Sequence, residues 1–181
     1  MRRAAFALLG ILAGCASRLP LPERLPVVVG DSCRIRTWSL SATGLPLPRT
    51  PLTLQSEQES DHLAGSVLGD WGRVLAGFLM DGNRVEGEHG WFTGVGMSPS
   101  ELSALSFALP DPERYAASLG EGWKMVGPDS CRSLFRNGRE RLRWTRPEPD
   151  LHVLQDSIGG WKVSARLAQE EVQPAGSCRG H

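Results

Sequence analysis

Arg132-Ser133-Leu134-Phe135-Arg136-Asn137-Gly138-Arg139-Glu140-Arg141-Leu142-Arg143-Trp144 is two short runs of mixed polarity joined by Asn-Gly. A two-residue turn that follows the natural twist of two strands needs positive φ at both central positions, and Asn and Gly accept it most readily. The stretch therefore predicts a β-hairpin. Turn chemistry of the same kind recurs on both sides of it. Gly159-Gly160 joins residues 151–153 to residues 161–167, Gly69-Asp70-Trp71-Gly72 separates His62–Leu68 from residues 73–80, and Asp81-Gly82-Asn83 leads into residues 84–92. Further back, residues 34–40 alternate polar and apolar, as a strand with one wet face does, and residues 52–58 follow a connection carrying Pro46, Pro48 and Pro51. The expected fold is mainly β, an antiparallel meander.

Between these strands the period changes. Ser98-Pro99-Ser100-Glu101 offers an N-cap serine, a proline at the first helical position and a glutamate three residues after the cap, so a helix is expected to begin there. Leu102, Leu105 and Leu109 recur at helical spacing, Pro110 stops the run, and residues 112–119 provide a second short helix. With Phe107, these leucines have two readings: they complete the core, or they form a lid over a ligand cavity. The fold class expected is thus α+β, dominated by strands.

The N-terminus carries an address. Arg2 and Arg3 precede an apolar run from Ala4 to Ala13, too short to cross a bilayer and suited to a signal-peptide core. Leu12-Ala13-Gly14-Cys15 resembles the lipobox of bacterial lipoproteins, which implies cleavage between Gly14 and Cys15 and lipidation of Cys15. Several acyl chains on one cysteine hold a protein to a bilayer far more firmly than one, since each buried methylene is worth about 0.8 kcal/mol. Ala16, where an aspartate would retain a lipoprotein at the inner membrane, implies the outer membrane, with the domain facing the periplasm. Residues 15–30, with Pro20, Pro22 and Pro26 among leucines, read as an extended tether that stands the domain off the membrane. Residues 31–168 form the expected domain, and residues 169–181 a polar tail.

Composition narrows the function classes. Twenty Lys and Arg balance twenty Asp and Glu, with no basic patch of the kind nucleic acid requires. Hydrophobic content of 40% and 21 glycines fit one turn-rich globular domain. The chain has no Gly-x-Ser-x-Gly elbow, His-Glu-x-x-His pair, Walker loop or cysteine neighbouring a histidine, so a non-catalytic role without a cofactor is expected. Gly94-Val95-Gly96 lacks the further glycine of a nucleotide loop, and Glu86 and Glu88 are spaced as many solvated strand pairs are. Arg132, Arg136, Arg139, Arg141 and Arg143 surround the Asn137 turn, either as a solvated hairpin or as a contact for anionic head groups.

Once Cys15 is lipidated, Cys33, Cys131 and Cys178 remain, each within a Ser-Cys-Arg triplet. Their spacing matches no metal motif, and an oxidising compartment favours one disulfide and one free thiol. Three pairings are open. Cys33 with Cys131 is preferred, because Cys178 lies in a polar tail expected to fray.

Several stretches carry a resemblance over roughly residues 50–167. They are Leu63-Ala64-Gly65-Ser66-Val67-Leu68, Gly72-Arg73-Val74-Leu75, Asp81-Gly82, Met97-Ser98-Pro99-Ser100-Glu101-Leu102, Cys131 to Gly138 and Gly160-Trp161-Lys162-Val163. In pattern and order the chain resembles a family of uncharacterised outer-membrane lipoproteins linked to aryl-polyene-type gene clusters, similar in fold to LolB, the lipoprotein receptor. The resemblance implies an incomplete antiparallel β-barrel of the LolA/LolB kind, covered by helices and lined to handle acyl chains. The function expected is binding or transfer of an acylated or polyene-like apolar molecule; the alternative is a structural lipoprotein that scaffolds an envelope protein complex. Trp71, at the expected tip between two strands, is a candidate membrane contact, since an exposed indole is unusual without one.

Overall fold

The computed structural model describes residues 19–22, 32–45, 47–48, 50–82, 84–89 and 95–179. Its strands are β1 (Ser32–Thr43), β2 (Leu52–Glu59), β3 (His62–Leu68), β4 (Val74–Asp81), β5 (Arg84–His89), β6 (Trp123–Val126), β7 (Cys131–Arg136), β8 (Arg139–Glu148), β9 (Leu151–Asp156) and β10 (Lys162–Pro174). Two helices, α1 (Pro99–Ala108) and α2 (Pro112–Ala117), lie between β5 and β6. The turns act as their chemistry dictates. Asn137 and Gly138 adopt φ of 51° and 77°, and Arg136 pairs with Arg139 across them. Ser98 accepts from the Glu101 N–H at 3.2 Å while the Glu101 carboxylate accepts from the Ser98 N–H at 2.8 Å, the reciprocal cap that starts α1.

Spatial order is β5-β4-β3-β2-β1-β10-β9-β8-β7-β6, antiparallel throughout and not closed. Two five-stranded meanders meet where the first strand pairs with the last, leaving β5 and β6 as edges. The helices run from one edge to the other. Pro99 sits over Gly87 of β5, where an added Cβ would come within 2.7 Å of the proline ring. At the other end of α1, the Ala108 carbonyl accepts from the Trp144 indole of β8 at 3.1 Å, and the Leu109 carbonyl accepts from Nδ1 of His152 on β9 at 2.8 Å. Seven strand spacings separate β5 from β8, about 33 Å in a flat sheet. A ten-residue helix spans only about 15 Å. The sheet is therefore strongly curved, with α1 on its concave side.

Inward residues alternate along each strand. Trp38 and Leu40, Leu52 and Leu54, Leu63 and Val67, Ala76, Phe78 and Met80, then Leu134, Leu142, Trp144, Leu154, Val163 and Ala165 form one core. Every residue of α1 from Glu101 to Ala108 is buried, so the helix is surrounded rather than laid on a surface.

Three expectations are corrected. The polar tail does not fray: β10 continues to Pro174, pairs with β1 down to Ser32, and is followed by a single 3-10 turn at Ser177–Arg179. Cys33 is bonded to Cys178, with Cα atoms 5.6 Å apart, and Cys131 is free and exposed. Cys131 begins β7, four strand spacings from β1, about 19 Å away where a disulfide needs Cα atoms within about 7 Å. The expected tether is not wholly free either: Leu19 is 0% exposed within the core. β6, only four residues long, forms the second edge. Gly14, Cys15, the signal segment, Trp91 and Phe92 lie outside the described residues.

Candidate functional site

The concave interior is the first candidate. Leu102, Leu105, Phe107 and Leu109 are each at most 1% exposed, and the structure brings them together in one core cluster. Phe107 meets the Tyr115 ring at 6.4 Å, and Tyr115 meets Trp144 at 5.8 Å, linking α1, α2 and β8 through edge and tilted ring contacts. Three buried groups in this otherwise apolar interior have no hydrogen-bond partner among the described residues: Nε1 of Trp38, Nε1 of Trp161 and Oγ of Ser106. Buried polar groups are ordinarily paired, so each is a place where a further oxygen would be welcome.

A second feature is a cleft of about 180 Å³ at the corner between α1 and α2, lined by Asp111, Glu113, Asp129, Arg132, Trp144, Arg146 and His152 among others. Its charges are largely committed. Asp111 caps α2 by accepting from the Arg114 N–H, Arg132 pairs with both Glu113 and Asp129, and Arg146 donates to the Pro149 carbonyl. Burial lowers the pKa of His152, whose Nδ1 donates to Leu109, leaving Nε2 as the acceptor of the neutral ring. Thr145 adds a hydroxyl to the lining.

On the convex face, β2, β3 and β4 form an open trough of about 450 Å³. Glu57, His62, Ala64, Ser66, Gly77 and Leu79 are among the residues that line it. Beside it, Glu59 accepts from the Gly176 N–H at 2.6 Å and the Cys178 N–H at 3.2 Å, which holds the last turn against the sheet. Cys33, Glu59 and Cys178 bring potential metal-ligand atoms within 4.8 Å of one another. The two sulfurs are joined and both carboxylate oxygens accept hydrogen bonds, so the trio is a covalent and hydrogen-bonded staple.

Trp71 stands at the β3–β4 turn, fully exposed at φ 62°. Strand register places this turn at the same end of the sheet as the β7–β8 and β9–β10 turns. That end therefore carries Trp71, Val74 and Ile158, all exposed, together with exposed Arg73, Arg136, Arg139 and Lys162. The arginines around Asn137 do not act as one patch. Arg136 lies over the Trp123 ring at 5.1 Å, Arg143 pairs with Glu140 at 2.8 Å, and Arg132 turns to α2 at the opposite end of β7.

One contact was not visible in the sequence: the Tyr115 hydroxyl donates to the Pro20 carbonyl at 2.5 Å, and Leu19 fills the core beside it. Burial pushes the Tyr115 pKa far upward, so the hydroxyl remains a donor. Within residues 15–30, Leu19 is one of three leucines that precede prolines, with Leu21 and Leu25. No protein-family model matches this chain, and no curated protein matches it.

Proposed function

We propose that this chain is a non-catalytic, lipid-anchored outer-membrane lipoprotein whose domain faces the periplasm and binds or passes on an acylated or polyene-like apolar molecule. In this reading the curved sheet is an incomplete barrel of the LolA/LolB kind, like that of the aryl-polyene-linked lipoproteins it resembles, and α1 with α2 is its cover. The observation that carries the reading is the apolar concave interior holding three partnerless polar groups, Trp38 Nε1, Trp161 Nε1 and Ser106 Oγ. An acyl ester supplies what such an interior lacks: carbonyl oxygens for the donors and a hydrocarbon chain for the wall. Trp71, with Val74 and Ile158 beside exposed arginines and a lysine, supports a contact with head groups at the turn end of the sheet, the end away from α2, which is open to the chain when Cys15 is not anchored.

A second reading is favoured by a specific observation. Leu102, Leu105, Phe107 and Leu109 pack at 0–1% exposure, as in a filled interior, which supports a scaffold for an envelope protein complex. Native mass spectrometry of the periplasmic domain carrying Cys15→Ser separates the two. A stoichiometric acyl or polyene adduct, lost when Leu102 and Leu105 are made polar in a domain that stays folded, is the result expected for a carrier. A clean mass that stays unliganded after incubation with envelope lipid extract sinks that reading and leaves the scaffold.

A further inference from the structure

The three residues between Cys15 and Leu19, four Cα–Cα steps, are the shortest path between a lipid anchor and the folded body. Leu19 is 0% exposed and belongs to the same core as α1 and the strands. The next residue is held too, its carbonyl accepting from Tyr115 of α2, itself 0% exposed. Leu21, one residue on, is 42% exposed, so the buried contact is made by Leu19 and the Pro20 carbonyl.

We infer that Leu19 and Pro20 clamp the N-terminus to the domain, and that the face built around α2 is its membrane-facing surface, its partner a lipid bilayer. This rests on the reading of Cys15 as lipidated. A fully extended chain advances at most about 3.6 Å per residue, so the Leu19 anchor point lies within about 14 Å of the Cys15 Cα. Were the chain first held at β1, beginning at Ser32, the same limit would be about 60 Å. The clamp turns a long leash into a short one and fixes which side of the domain meets the head groups. Arg132 ties this side to β7 through Glu113 of α2, which places the free, exposed Cys131 next to the proposed surface.

Cys131 is a ready position for a probe. The full chain, lipidated in the cell and purified, is labelled there with a fluorophore and reconstituted into phosphatidylethanolamine–phosphatidylglycerol vesicles bearing a head-group quencher. Strong quenching is expected, with most of it lost in Leu19→Ser. It is also expected to be lost on inserting ten Gly/Ser residues between Ala16 and Ser17, a change that leaves the core intact and so reads the clamp even if Leu19→Ser unfolds. Quenching that is unchanged by the insertion overturns the clamp. Intact mass of the same preparation separates the two levels: absence of a diacylglycerol adduct on Cys15 refutes the lipoprotein reading itself, whereas an adduct with insensitive quenching refutes only the clamp.

Discussion

Serine at both Cys33 and Cys178 is expected to destabilise the domain by about 3–5 kcal/mol. The bridge closes a loop of 145 residues, nearly all of the folded chain. In the chain-entropy treatment a loop of that length removes about 17 cal/mol/K from the denatured state, or about 5 kcal/mol at 25 °C, with the lower figure allowing for residual order in that state. The native side changes little, because β1 and β10 remain paired from Ser32 to Thr43 and Glu59 still accepts from the last turn. Urea unfolding of the Cys15→Ser chain, with and without the two further serines, reads the difference. The slope against urea is expected to rise as well, since an uncrosslinked denatured chain exposes more surface. Magnitude alone does not identify the bridge, because a Cys33–Cys131 loop would be worth only about 0.3 kcal/mol less. Peptide mapping completes the assay. A loss below about 1 kcal/mol, against the 2–5 kcal/mol usual for a native disulfide, or a mapped bridge containing Cys131, refutes the reasoning.

Further outcomes follow from individual side chains. Leu105→Ala, at a position with 0% exposure, is expected to lose about 2–5 kcal/mol in the same unfolding assay. Gly138→Ala places a Cβ on a residue at φ 77° and is expected to cost about 1 kcal/mol, measured as a lowered urea midpoint with an unchanged slope. Trp71→Gly relieves a non-glycine residue at positive φ and removes no buried contact, so stability is expected to hold or rise by about 1 kcal/mol, while binding of the lipid-free chain to anionic vesicles falls. His152 has its folded pKa lowered from 6.5 by burial. Its contribution to stability is present in full above 6.5 and is lost as pH falls toward the lower folded value, because the unfolded chain takes up the proton first. In His152→Asn the pH slope of stability in that window is expected to flatten.

Most strand positions were legible because turns announce themselves. Asn137-Gly138, Asp81-Gly82 and Gly159-Gly160 each punctuate a hairpin, and Ser98 to Glu101 writes its capping box in plain residues. Two strands escaped for different reasons. β6 is four residues long, and too short to show a period. The far half of β10 shows no apolar alternation, because neither face is covered there. Its order comes instead from backbone pairing with β1, from Glu170 bonded to Arg36 at 2.9 Å and from the disulfide. Those are contacts across 134 and 145 residues, which no local window holds. The cysteine pairing failed with the strand, since a frayed tail was the reason for preferring Cys131. As for the candidate site, the helical leucines were found by period, but packing decided that they lie inside, and the Leu19-Pro20 anchor was invisible because Tyr115, the partner of Pro20, is on a distant helix.

The pairing of first strand with last has a consequence for how the molecule is made. Synthesis delivers β1 to β5 early, as a meander whose innermost strand has one side unsatisfied. That side waits for β10, the final strand to be produced, so the middle of the sheet is the last region to be completed. Such long-range closure gives a high contact order and slow folding, measured in milliseconds to seconds for comparable β topologies. During the interval Trp38, Leu40 and Leu54 belong to a half-built sheet with an open hydrogen-bonding row, a template for mispairing with any other extended chain. A holding chaperone that shields β1 until residue 174 has emerged would therefore raise the yield of this protein more than one that acts after the chain is whole.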